Sequence, residues 1–223
     1  MTATPTPIER AIRESLDAHP RVDFPALPGR TNHLRAGVLV PLVLGEGSES
    51  ERVEVLFEER PTTMREHPGE IALPGGRMDP EDVDVRATAL REAEEELGIR
   101  APRVLGTLSS YPLYTSDYRL FPTVATVRQR TLEPNAAEVA RVHRWDLRAA
   151  LDAERIDGIP WDLGGEEFVC PVFDVGAWRP VFGGTAQVAY DMLVVYARAL
   201  GRPLPPIVTG RYTWQSVLHP PEP

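Results

Sequence analysis

The chain has 223 residues, 24 Lys+Arg against 33 Asp+Glu, and a formal net charge of −9. That length suits one domain with decorated ends, and 42% apolar residues are enough for a sizeable core, which excludes disorder of the whole chain. The acidic balance argues against a general nucleic-acid binder, the single Cys170 excludes an internal disulfide framework and any Cys-based zinc site, and no apolar run reaches the roughly 18 to 20 residues of a membrane span.

The opening stretch, MTATPTPIERAIRESLDAHP, lacks the charged-then-apolar layout of an export signal, so a cytoplasmic protein is expected. Residues 1–32 are polar and Pro-rich and read as an N-terminal arm with one helix near Ile8 to Ala18. Leu34 to Leu44 reads as a strand. Arg52 to Glu59 alternates apolar and polar in its first half and reads as the next strand, paired with the first across a polar turn at Gly45 to Ser50. Pro61 to Gly76 carries three prolines and three glycines and must be largely loop. A helix follows at Val85 to Leu97, stopped by Gly98.

Val104 to Ser109, Leu120 to Arg128 and Ala140 to Trp145 read as strands, Asp146 to Asp152 as a short helix, and Phe168 to Val172 as a further strand. Gly183-Gly184-Thr185 precedes an apolar-rich helix from Ala186 to Leu200 that ends at Gly201. Residues 203–223 form a Pro-rich C-terminal tail, expected to be extended or poorly ordered. Strands, a helix, more strands and a helix in that order predict an α/β protein, a mixed sheet with helices packed on it.

The chemistry concentrates in Arg91-Glu92-Ala93-Glu94-Glu95-Glu96-Leu97-Gly98. On a helix, Glu92, Glu95 and Glu96 stand at i, i+3 and i+4 and share one face within an arc of about 100°. Leu90, Ala93 and Leu97 make a separate apolar stripe that can anchor the helix on a sheet. Read alone, an acidic run is a solvated face. Like charges at these spacings destabilise a helix, so a protein without a metal has little reason to crowd them. Mg²⁺ and similar hard cations want such oxygen ligands together with substrate phosphates. Upstream, Leu73-Pro74-Gly75-Gly76 would let backbone groups approach an ion or phosphate closely.

The stretch from Gly76 to Ile99, GRMDPEDVDVRATALREAEEELGI, closely resembles the Nudix box, G-x5-E-x7-R-E-U-x-E-E-x-G-U, where U is a bulky aliphatic residue. Its second half matches at Arg91, Glu92, Ala93, Glu95, Glu96, Gly98 and Ile99. In the first half Asp82 stands in place of Glu, and the spacing to Arg91 is one residue longer. Those two departures are similar to the coenzyme A pyrophosphatase subfamily. So is the preceding segment, where Arg60, Arg65, Gly69 and Pro74-Gly75-Gly76 fall at the spacing of L-L-T-x-R-[SA]-x3-R-x3-G-x3-F-P-G-G, while Phe57, Glu58, Pro61 and Leu73 depart from it.

The resemblance implies a Nudix fold, an α/β/α sandwich with a mixed sheet, spanning residues 33–202. It implies hydrolysis of the diphosphate of coenzyme A or an acyl derivative with Mg²⁺ or Mn²⁺. Alternatives are another nucleoside diphosphate derivative such as ADP-ribose or NADH, or a Nudix-fold module that binds without turnover. By the same resemblance Glu92, Glu95 and Glu96 are metal ligands, with the Gly75 or Gly76 carbonyl as a further one, and Glu92 is a ligand or a base. Arg91 orients the carboxylates. Arg60 and Arg65 suit phosphate, since guanidinium binds it through a planar fork; without the signature, pairing with Glu58, Glu59 or Glu66 would be the plainer account. Gly76 completes the substrate loop. Glu138, and more weakly Asp117, are candidate carboxylates from downstream loops. Tyr111, Tyr114, Tyr118 and Phe121 are read first as core, His67 receives no role, and self-association as a homodimer is left open.

Overall fold

A computed structural model describes residues 4–47, 50–129, 131–163 and 165–219. The polar turn expected at Gly45 to Ser50 and the end of the tail lie partly outside these residues. The elements are α1 (Pro7–Asp17), β1 (Leu34–Leu44), β2 (Val53–Glu59), β3 (Ile71–Ala72), β4 (Gly75–Arg77), α2 (Val85–Leu97), β5 (Arg103–Thr107), β6 (Tyr111–Pro112) and β7 (Tyr118–Thr126). They continue with β8 (Arg141–Asp146), α3 (Leu147–Asp152), β9 (Ile156–Leu163), β10 (Glu166–Val172), α4 (Gly183–Ala199), β11 (Ile207–Thr209) and α5 (Trp214–Leu218).

The main sheet runs β3-β2-β1-β7-β5, with β4 on β1, β6 on β7 and β8 on β2. β1 and β7 are parallel and the other pairs antiparallel, so the sheet is mixed. β1 is central and buried on both faces, which is why its sequence is a near-continuous apolar run rather than an alternation. Pro41 lacks an N–H for the ladder, and it falls between the stretch paired with β4 (Ala36 to Val38) and the stretch paired with β2 (Leu42 to Leu44).

Strand alternation divides the interior into two layers. Val38, Val40, Leu42, Val53, Val55 and Phe57 point to the side of α1 and α4; Leu39, Leu56 and Ala125 point to α2, meeting Ala89, Ala93 and Leu97. Helices therefore cover both faces, giving the α/β/α sandwich. Gly37 permits the close seating of α2, because a Cβ there would collide with the Val85 carbonyl oxygen. Helix α1 starts with a capping box: the Thr6 hydroxyl accepts from the Glu9 N–H, and the Glu9 carboxylate accepts from the Thr6 N–H, both at 3.2 Å. It buries Ile8, Ile12 and Leu16 in the core. The buried Glu9 also accepts from the Thr126 hydroxyl at 2.9 Å and Arg128 at 3.1 Å.

The C-terminal expectation needs correction. Residues 207–209 are a strand, paired in parallel with β9, and residues 214–218 form α5. β10-β9-β11 make a second, small sheet over a cluster of Ile159, Val172 and Val217. The prolines confine the chain before Ile207, but a short β-prone segment beside an existing edge still pairs. No helix among the described residues is long and apolar enough to cross a membrane.

Candidate active site

Helix α2 carries the acidic face, and its ends are well defined. The Asp84 side chain accepts from the Ala87 N–H at 2.8 Å, and Gly98 closes the helix in the left-handed conformation at φ 67°. The C-terminal carbonyls are then taken by the next loop: Glu133 N–H donates to Leu97 O at 3.0 Å and Asn135 N–H to Glu96 O at 2.8 Å. This docking carries Glu138, whose N–H donates to Asn135 O at 2.9 Å, to the end of α2. The negative charge of Glu138 is felt at Glu58, Glu92 and Glu96.

The Pro-Gly-Gly turn lies directly under these carboxylates. Pro74 O accepts from Leu39 N–H at 2.8 Å, which pins the turn to β1. The Gly75 N–H donates to Glu96 Oε2 at 2.8 Å. A Cβ at Gly76 would strike the Glu92 carboxylate. The two glycines answer to different neighbours: a Cβ at Gly75 would run into the Gly37 carbonyl oxygen and Val38 of β1, and one at Gly76 would displace the Glu92 carboxylate of α2.

Arg91 organises the helix face. Its Nε and Nη2 donate to Asp82 at 3.1 and 3.0 Å, while Nη1 reaches Glu92 at 3.0 Å and Glu95 at 3.1 Å. Asp82 also accepts from the Thr88 hydroxyl at 2.9 Å and the Asp79 N–H at 3.0 Å. The Arg91 guanidinium, with those donors, holds the Asp82 carboxyl well below the usual carboxylate range. The displaced acid of the sequence motif is thus the anchor of Arg91, a role that only the folded loop reveals.

The electrostatics of the other carboxylates run the opposite way. Burial pushes Glu96 up to about 8, and the Glu92 and Glu138 charges add to it, against the Gly75 N–H and Arg60. Burial likewise raises Glu92, opposed by Arg91. Glu58 on β2 is raised well above the ordinary value, first by burial and then by Glu96. It is 1% exposed and its Oε2 has no hydrogen-bond partner among the described residues. Arg60 is the cation within reach of this group, and its Nε is buried without a partner among the described residues.

The fold thus brings together Glu92, Glu96, Gly75, Gly76, Arg91, Glu138 and Arg60, and places Glu95 at the rim with its side chain 55% exposed. Arg65 is exposed and makes no ion pair among the described residues. Its loop is nevertheless held: Gly69 has φ 67° and packs against Trp178, and Arg179 donates to the carbonyls of Pro68, Val217 and Leu218 at 2.8, 2.9 and 3.2 Å. Asp117 is committed elsewhere, accepting from the Thr31 and Asn32 N–H groups at 2.8 and 3.4 Å. His67 pairs with Glu70 and Tyr111 stacks on Phe24. Among the described residues no three acidic, His or Cys side chains close on one point as a ready-made ion cage. Glu92 and Glu95 are held by Arg91, and Glu96 by Gly75. In the sequence Glu58 stands only as a departure from the pattern; the signal it carries is an acid at an inward position of β2, two residues after the buried Leu56.

This arrangement, a glycine turn beneath an Arg-ordered row of glutamates at one end of a mixed sheet, belongs to a known class. The NUDIX domain family model matches residues 33–162, and the chain belongs to that family, as a Nudix hydrolase. Among curated relatives, it is 34% identical over 182 residues to the mitochondrial coenzyme A diphosphatase NUDT8 of Mus musculus, covering 78% of this chain and 83% of that protein. It is 33% identical over 145 residues to the peroxisomal coenzyme A diphosphatase NUDT7 of Mus musculus, covering 62% of this chain and 60% of that one. Among solved structures it is similar to a MutT/nudix family protein from Enterococcus faecalis, at 14% identity, a TM-score of 0.49, and coverage of 90% of this chain and 76% of that one.

Proposed function

We propose that this enzyme hydrolyses the diphosphate of coenzyme A or an acyl-coenzyme A, giving 3′,5′-ADP and the (acyl-)4′-phosphopantetheine. The observation that carries the substrate is the similarity to a coenzyme A diphosphatase over 78% of the chain. The kept spacing of Arg60, Arg65, Gly69 and Pro74-Gly75-Gly76 before the glutamates supports it.

The donor set fits a divalent cation. Carboxylates whose burial and mutual repulsion raise their proton affinity, with one buried oxygen left unmet, are short of positive charge. Glu92, Glu95 and Glu96, with the carbonyl of Gly75 or Gly76, would hold Mg²⁺ or Mn²⁺. When bound, the ion neutralises diphosphate charge and makes a coordinated water more acidic.

The protein's own groups supply the rest. Arg91, braced by Asp82, aims Glu92 and Glu95. The Gly75 N–H fixes Glu96. Arg60 offers a guanidinium to a phosphate oxygen. Glu138 is the proposed base, taking the proton of the attacking water while one phosphorus–oxygen bond forms, the bridging bond breaks, and the leaving phosphate keeps the bridging oxygen. Residues 1–32 and 203–223 are proposed as terminal additions to a catalytic domain of residues 33–202, packed onto it through the apolar face of α1 and the pairing of β11 with β9, and the enzyme is proposed to act in the cytoplasm.

The test is a substrate panel with Mg²⁺ or Mn²⁺, products resolved by mass spectrometry. The proposal expects coenzyme A to be cleaved in preference to ADP-ribose and NADH. Cleavage of ADP-ribose but not coenzyme A would overturn the substrate, and turnover of none would favour a binding module.

A further inference from the structure

Glu58 is not accounted for by the motif, which has Thr at that place. Its strand position is set by pairing with Ala72 of β3 and Val142 of β8. Leu56, two residues earlier, packs into the layer under α2, so Glu58 emerges on the same face as the acidic helix. The residue is 1% exposed, and its Oε2 meets no donor among the described residues. Buried carboxylate oxygens are ordinarily paired, and one left open on the rim of an acidic cluster calls for a positive partner. Glu58 makes no ion pair among the described residues, although the Arg60 charge reaches it; its other charged neighbours are Glu96, Glu138 and Glu92. Strand β2, helix α2 and the loop after Asn135 thus each carry a carboxylate near enough for its charge to bear on Glu58 or to be Glu58 itself, without three of them already closed on one point among the described residues.

We propose that Glu58 is an additional carboxylate of the divalent-cation site, contributed by β2 opposite Glu92, Glu95 and Glu96 of α2. This rests on the reading that the α2 glutamates hold such an ion. A chain with Thr at this position would have one anionic donor fewer, so Glu58 tightens ion binding in this protein in particular.

The experiment is a Mn²⁺ titration of the whole chain without substrate, following free Mn²⁺ by electron paramagnetic resonance, for wild type, Glu58→Gln and Glu58→Thr. Melting temperatures with and without Mn²⁺ are recorded alongside. Both variants are expected to raise the Mn²⁺ dissociation constant at least tenfold. The rise in melting temperature on adding Mn²⁺ should shrink to match. Should Gln disturb folding, Thr carries the comparison, because the sequence pattern itself has Thr there. Wild-type affinity in both variants, with only the metal-free melting temperature changed, would reduce Glu58 to a structural neighbour of Arg60 and overturn the proposal while the proposed hydrolysis stood. Absence of Mn²⁺ binding by the wild type would overturn both.

Discussion

Replacing Glu96 by Gln should stabilise the metal-free protein at alkaline pH and not at acid pH. The Glu96 carboxyl rises from its ordinary 4.5 to about 8, chiefly by burial. The folded state therefore favours the protonated form. The stabilising contribution is complete below about 4.5 and is lost as pH climbs through about 8. At 1.36 kcal/mol per pH unit, the full interval corresponds to roughly 5 kcal/mol. Gln stays neutral, and its oxygen can still accept from the Gly75 N–H. Its amide N–H groups, however, enter the same buried site at a cost of about 1–3 kcal/mol if unmet. The net gain should be about 2–4 kcal/mol at pH 9, vanishing or changing sign near pH 5. Urea denaturation with EDTA at several pH values measures it. Parallel stability curves for wild type and Glu96→Gln across that range would refute the reasoning.

Other substitutions test other links. Gly76→Ala drives a Cβ into the Glu92 carboxylate. Turnover should fall at least tenfold with little change in far-ultraviolet circular dichroism. Asp82→Ala frees Arg91 from its brace. The expected loss is about 10- to 100-fold in kcat, at unchanged helix content, since supporting partners of ligating groups commonly cost that much. Thr6→Ala removes the α1 cap while leaving the active site untouched. It should lower unfolding free energy by about 1 kcal/mol in denaturant titration, with kcat/KM unchanged.

Much of the architecture was legible because local patterns agreed with long-range packing. β1 occupies Leu34–Leu44 and α2 occupies Val85–Leu97, the spans set by an apolar run and by a helix ending at Gly98. β9 was not legible. Its sequence, IDGIPWDL, carries Gly158 and Pro160, which weaken a strand reading. The fold explains the glycine: a Cβ there would lie 2.5 Å from Val169 and 2.6 Å from Ile207 of the neighbouring strands. β11 was hidden for a related reason, since a three-residue strand exists only by virtue of a distant parallel partner.

The site divides along the same line. The helical spacing of Glu92, Glu95 and Glu96 is a local fact and is written in the sequence. The use of Asp82 to hold Arg91, the docking of residues 133–135 on the end of α2 and the burial of Glu58 depend on segments far apart in the chain. Only a family pattern or a structure could bring them to one place.

Anomalous scattering from crystals grown with Mn²⁺ would test the central claim most directly. The account predicts an ion held by Glu92, Glu95 and Glu96 beside the Gly75-Gly76 turn, with Arg91 still on Asp82. A well-ordered site containing no ion, with Arg91 still tied to Glu92 and Glu95 at saturating Mn²⁺, would contradict it.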